Sequence, residues 1–215
     1  VTRLIAVFGA SPGIGKSTLT KRLADTARRV GTVDRFDEEH ILSRSEFAAV
    51  AAQFQSSGVV DLDVLLDASA RFVTSAMVYD TVVTDTLFPF VPSLLAWGHD
   101  DETIRAFVVQ LRAILDPLRP IVVYLDGEPA EALPRAVSRS GDAWLQTFLT
   151  KVKTYKTTPP IRDVAGTVAH LRRERDVTLG SLIDAGFTVV ILRDAHARSP
   201  DDLGGEVRSR LDWLP

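Results

Sequence analysis

Residues 10–18 read Ala-Ser-Pro-Gly-Ile-Gly-Lys-Ser-Thr, after the apolar run Leu4-Ile5-Ala6-Val7-Phe8 and Gly9. A buried strand is expected to run into a glycine-rich turn, and Lys16 and Ser17 to open the helix that follows. Each residue type has a physical job there. Gly13 and Gly15 permit backbone conformations that residues with a Cβ avoid, so consecutive N–H groups can turn toward an anion. The helix N-terminus adds unpaired N–H groups and a partial positive charge. Lys16 can reach the β- and γ-phosphates of a nucleotide, and the Ser17 hydroxyl can ligate Mg²⁺.

Strand, glycine turn, Lys-Ser and helix together resemble the P-loop of nucleoside triphosphate-binding proteins. The resemblance implies that Ser11, Pro12, Gly13, Ile14, Gly15, Lys16, Ser17 and Thr18 wrap the phosphates of ATP. One departure stands out: the pattern usually opens with glycine where this chain has Ala10, and Gly9 is one residue out of register. A positive φ at Ala10 would cost on the order of 1 kcal/mol relative to glycine.

Short apolar runs alternate with long helical patterns along the rest of the chain, which predicts βαβ units and a parallel sheet. Strands are expected at 4–8, 30–33, 82–84, 120–125 and 187–192, the second ending at Asp34. Helices are expected at 16–29, 45–55, 62–79, 101–115, 129–139, 162–185 and 200–211. The expected fold is α/β, a P-loop NTPase fold with a five-stranded parallel sheet, helices on both faces and a small lid. The segment 138–162 has the weakest pattern and carries Lys151, Lys153 and Lys156. It reads either as that lid, which must open and close, or as a helix and surface loop with solvated lysines.

The 215 residues suffice for one domain, with 46% hydrophobic and 25% charged residues. A formal net charge of −3 gives no general pull toward nucleic acid or anionic membranes. There is no cysteine, so disulfides and thiolate metal sites are excluded. The first residues enter a core strand rather than a signal peptide. No apolar run reaches the ~18 residues of a membrane span. A cytoplasmic protein without a membrane partner is expected.

Ligands of doubly wound sheets sit beyond the carboxyl ends of the strands, where this sequence offers several carboxylates. Asp85 follows a hydrophobic strand and reads as a Mg²⁺-organising carboxylate or as a cap on Thr86-Leu87-Phe88-Pro89. Asp34 reads as the group that orients or deprotonates an acceptor hydroxyl, with Asp37, Glu38 and Glu39 as competitors. Phe88, Phe90 and Trp97 either line an acceptor pocket or pack a loop onto the core. His99 reads as a capping or exposed histidine.

A second region narrows the class. Tyr124-Leu125-Asp126-Gly127-Glu128-Pro129-Ala130-Glu131-Ala132-Leu133-Pro134-Arg135 continues to Arg139. An acidic strand end, Pro-x-x-x-Leu and two arginines four apart resemble the thymidylate kinase and deoxynucleoside kinase families. The resemblance covers roughly residues 4–34, 81–89 and 120–141. It implies that Arg135 lies near the adenine or phosphates of ATP and that Arg139 reaches over the phosphates from the lid. Guanidinium suits both jobs because it is planar, permanently charged and forked. Two arginines on the solvent face of an amphipathic helix are the alternative. Asp34-Arg35-Phe36 replaces the Glu-Pro of those families. Asp85-Thr86-Leu87-Phe88-Pro89 lacks their Glu-Arg-Ser, and bears only a loose likeness to the Asp-Gly-Phe-Pro-Arg of adenylate-type kinases.

The expected activity is transfer of the γ-phosphoryl of ATP, with Mg²⁺, to a hydroxyl or phosphate of a small acceptor, first of all a nucleoside or nucleotide. Lys16, Asp34, Asp85 and Arg139 are the expected catalytic residues, and Ser17 with Asp85 the metal ligands. An antibiotic or other specialised metabolite, or a modified base within a DNA polynucleotide, are alternative acceptors. A nucleotide-dependent switch or regulatory ATPase is the alternative from another class. The guanine-reading Asn-Lys-x-Asp motif is absent. Self-association as a homodimer is left open.

Overall fold

The computed structural model describes residues 1–85, 90–211 and 214, with positions 39, 41 and 42 described by backbone alone. The expectations attached to Thr86, Leu87, Phe88 and Pro89, and to the Glu39 carboxylate, lie outside the described residues.

The chain forms β1 (Arg3–Phe8), α1 (Lys16–Ala27), β2 (Val33–Phe36), α2 (Ala48–Ser57), α3 (Leu62–Ala76), β3 (Thr81–Thr84), α4 (Val91–Ala96) and α5 (Asp101–Leu115). It continues through β4 (Ile121–Leu125), α6 (Pro129–Ser140), α7 (Asp142–Val152), α8 (Val164–Asp184), β5 (Thr188–Leu192) and α9 (Pro200–Arg210). The five strands are all parallel, in the order β2-β3-β1-β4-β5. Parallel strands need crossovers, and these place helices on both faces.

Alternation along β1 divides the core. Leu4, Ala6 and Phe8 join Val82, Val122 and Tyr124 under α3, α5 and α8, where Phe72, Phe107 and Leu182 pack. Ile5 and Val7 point the other way, with Val83 and Val123, onto Leu19 and Leu23 of α1 and Leu203 and Val207 of α9. Burial on both faces explains why β1 and β4 read as unbroken apolar runs. A third, smaller cluster lies apart from both sheet faces: Leu149, Val152 and Ile161, with Leu145, Phe148 and Tyr155 against it. Among the described residues no helix is long and apolar enough to cross a membrane.

The second strand differs from its sequence expectation. Val30 lies in the turn that ends α1, its N–H bonded to the Ala27 carbonyl, and it is exposed. The strand starts three residues later because Asp80 accepts from the Thr32 N–H at 2.7 Å and hydroxyl at 2.9 Å, clamping the entry to β2 against the entry to β3. Val33 then pairs with Thr81 and Asp34 with Val82. Asp34 is therefore the second residue of β2, not the residue beyond its end. Polar side chains are tolerated here because β2 is an edge strand.

Candidate functional site

Beyond the carboxyl end of β1, residues 9–15 form a loop that glycine geometry makes possible. Gly13 has φ +77° and Gly15 φ +107°. A Cβ on Gly13 would lie 2.8 Å from the Ala136 N and 2.9 Å from the Ala132 O, so α6 sits directly on the loop. Ala10 is not among the positive-φ residues, so alanine there carries no strain. Gly9 is the residue under steric constraint: a Cβ would meet the Leu125 carbonyl oxygen at 2.8 Å. The one-residue offset in the glycine pattern thus reflects packing against β4.

α1 starts at Lys16 with Gly15 as its N-cap and no side-chain cap. The N–H groups of its first turn have no partner within the helix. Lys16 Nζ donates to the Gly9 carbonyl at 3.0 Å and the Ser11 carbonyl at 3.3 Å. Burial lowers its pKa, against the attraction of Glu38, Glu174 and Asp85, and Arg139 lowers it further. Three carboxyl groups and one guanidinium are therefore close enough to act on the Lys16 charge. Ser11 is buried, with no hydrogen-bond partner on its Oγ. Ile14 belongs to the core, whereas Ser17 and Thr18 are exposed on the first turn of α1.

A cavity of about 570 Å³ opens beside Lys16, Gly9, Ala10 and Pro12. Glu38, Asp85, His170 and Glu174 supply polar groups to its wall, and Phe54, Phe90, Trp97, Phe148 and Tyr155 supply aromatic surface. Asp85 is buried at the end of β3, and its Oδ1 accepts from the Glu38 N–H at 3.0 Å. That bond folds the segment after β2 over the cavity. Phe90 is also core, edge-on to Phe107 at 6.0 Å between centroids. Trp97 is half-buried. Lys151 and Lys156 line the same cavity, brought there by α7 and the turn after it, and Lys153 does not.

The remaining sequence-predicted residues lie elsewhere. Asp34 does not line the cavity. Arg44 Nη1 lies 2.9 Å from Asp34 Oδ2, and Arg44 Nη2 lies 2.9 Å from Glu46 Oε1, with the guanidinium 4.6 Å from the Phe36 ring centroid. Asp37 is held by Arg35, at 3.1 and 2.5 Å. Of the four competing carboxylates, Glu38 is the one shown to face the cavity. Arg135 and Arg139 are exposed on α6. Arg139 bears on the Lys16 charge, and no contact ties Arg135 to the site.

The Arg44 cluster is structural and makes stability pH-dependent. Burial would raise the Glu46 pKa, but hydrogen bonds from Ser75, its own backbone N–H and Arg44 outweigh it and hold the value at about 2, against an ordinary 4.5. A depressed carboxylate contributes stability above its unfolded value, and that contribution is lost as pH falls through the folded one. Glu46→Gln is therefore expected to lower stability at neutral pH by about 2 kcal/mol and to flatten the loss seen between pH ~4.5 and ~2. Urea unfolding of both proteins across that window checks this; parallel pH curves would contradict it.

Sequence reading missed His170 and Glu174. The signal was present: Thr167, His170, Glu174, Thr178 and Ser181 recur at helical spacing, and all five are buried. A polar stripe resembles a solvated face until the fold shows which way it points.

Comparison with known proteins adds the fold alone. No family model and no curated protein matches the chain. The crystal structure of APE1195 is similar to it, with a TM-score of 0.51 over 99% of this chain and 96% of that one, at 12% sequence identity. A likeness at that identity concerns architecture, not chemistry.

Proposed function

We propose that this chain is a P-loop kinase that transfers the γ-phosphoryl group of ATP to a small acceptor held in the cavity, first of all a nucleoside or nucleotide. The observation that carries the reading is that Lys16, at the junction of the glycine loop and α1, faces the same cavity as Glu38, Asp85 and a set of aromatic walls. An anion site and an acceptor site thereby share one lysine.

The residues present fit the implied groups. Two positive-φ glycines, the uncapped start of α1 and the unpartnered Ser11 Oγ suit phosphate oxygens. Among the described residues no cluster of three or more His, Asp or Glu is placed to hold a metal ion. Mg²⁺ at phosphate sites keeps several waters and takes one or two protein ligands, for which Ser17 and Asp85 are the candidates. When bound, ATP supplies the transferable phosphoryl group and Mg²⁺ neutralises part of its charge.

The chain's own groups do the rest. Lys16 exchanges its loop carbonyls for phosphate oxygens and holds negative charge. Arg139, on the helix that packs against Gly13, adds a second cation. Glu38 takes the proton of the acceptor hydroxyl, replacing Asp34 in that role because Asp34 is committed to Arg44. The aromatic walls hold the acceptor and exclude water, and α7, carrying Phe148 and Lys151, is the lid. ADP release from ATP and Mg²⁺, measured alone and with a panel of nucleosides and nucleotides, tests the reading. Acceptor-dependent turnover supports it, and acceptor-independent hydrolysis would point to a switch or regulatory ATPase.

A further inference from the structure

α8 buries polar side chains among its apolar ones, Val168, Leu171 and Leu182. A helix packed on a sheet ordinarily presents an apolar stripe there, yet Thr167, His170, Glu174, Thr178 and Ser181 are buried. The rotation of the helix is fixed from outside. Arg172 donates to Glu128 Oε1 at 2.7 and 3.0 Å, and Arg173 to Asp101 at 2.8 Å. Both arginines stay at the surface, and Glu174, the next residue along the helix, is buried.

Within this stripe, His170 and Glu174 open onto the cavity beside Lys16. Their side chains are 5% and 7% exposed. His170 Nε2 has no hydrogen-bond partner and stands 4.0 Å from Glu174 Oε2, too far for a hydrogen bond between them. The Tyr155 ring lies against the imidazole, with centroids 5.5 Å apart, and helps fix its plane. Two buried polar groups thus stand side by side at a cavity wall without satisfying each other. Buried polar groups are ordinarily hydrogen-bonded, and an exception at a cavity wall points to a ligand.

The ligand edge they suit is uncharged. Burial, with Arg173, lowers the His170 pKa and keeps the ring neutral. Burial raises Glu174 to about 8, against the pull of Lys16 and with the push of Glu38, which favours the neutral carboxyl. The cations among the described residues that line the cavity are Lys16, Lys151 and Lys156, with no arginine to fork onto a carboxylate or phosphate at this edge. Phe54, Trp97 and Phe148 offer flat apolar surface.

We propose that His170 and Glu174 form the specificity subsite of the acceptor cavity, reading a neutral group that presents a hydrogen-bond donor and acceptor side by side on a flat ring-bearing molecule. Such a pair is found on the amide edge of a nucleobase and on the vicinal diol of a ribose. The inference rests on the kinase reading for the cavity's role, but its test does not require turnover.

The test is equilibrium binding of adenosine, guanosine, cytidine and uridine to the whole chain, read by quenching of tryptophan fluorescence, since Trp97 lines the cavity. At least one nucleoside is expected to bind. Glu174→Ala and His170→Ala should weaken it by about tenfold or more, as loss of a buried hydrogen bond does. Glu174→Gln, which keeps a neutral donor and acceptor, should stay within about threefold of the parent and guards against a folding defect. The 2′-deoxy form of the bound nucleoside and a form methylated on its base edge assign the contact to diol or base. Binding of none of the four, unchanged affinity in both alanine variants, or equal losses in Glu174→Gln and Glu174→Ala would each overturn the subsite. A fluorescent ATP analogue is titrated in parallel. If it fails to bind while the nucleoside result holds, the kinase reading falls and the subsite stands.

Discussion

Lys16→Ala is expected to lower phosphoryl transfer by about 10²–10³-fold at saturating ATP, the usual loss when one preorganised charge facing the transition state is removed. In the ligand-free protein Nζ is bonded to two carbonyls of its own loop, Gly9 and Ser11. Gly9 lines the cavity, where its carbonyl can take a water in place of Nζ, so the fold should survive. A thermal melt within a few degrees of the parent, together with kcat for acceptor phosphorylation, checks both halves. Retention of more than about a tenth of the parent kcat, a loss under ~1.4 kcal/mol, would remove the loop from the mechanism.

Glu38→Gln is expected to lower kcat by about 10²–10⁴-fold with ATP affinity nearly unchanged, because a positioned proton acceptor acts in the transition state. The amide keeps the shape of the side chain, and the Glu38 N–H can still donate to Asp85. Asp34→Asn is the paired control. Its carboxylate faces Arg44 rather than the cavity, so the variant should lose about 1–3 kcal/mol of stability and keep its kcat. Steady-state kinetics and urea unfolding of the two variants separate the roles. The opposite pattern, with activity lost at Asp34 and kept at Glu38, would return the base to β2.

The turn from β1 through the glycine loop into α1 was legible because its signals are local. Five apolar residues, three glycines, Lys16 and Ser17 fall within the fourteen residues 4–17, and each constrains the next. The opposite wall of the cavity was much less so. Asp34 was expected at the tip of its strand because Val30 looks like a strand residue, and only the clamp of Asp80 on Thr32 shows that it belongs to a turn. Glu38 reaches the cavity through a long-range bond to Asp85, which no spacing rule encodes. Glu174 sits in an arginine-rich run, Arg172-Arg173-Glu174-Arg175, that reads as solvent-facing. In sequence α7 is one of two readings of residues 138–162, because its apolar residues serve a small cluster of their own and not the sheet.

That separate cluster divides the molecule into a sheet-bound chassis and a panel with its own packing. Leu149, Val152 and Ile161 hold α7 together without drawing on either sheet core, while Phe148 and Lys151 from the same helix face the cavity beside Lys16. The panel can be rewritten while the glycine loop, β1 and the Lys16 junction stay as they are. Substitutions between Gly141 and Ile161 should then reshape that wall of the cavity at little cost to either sheet core.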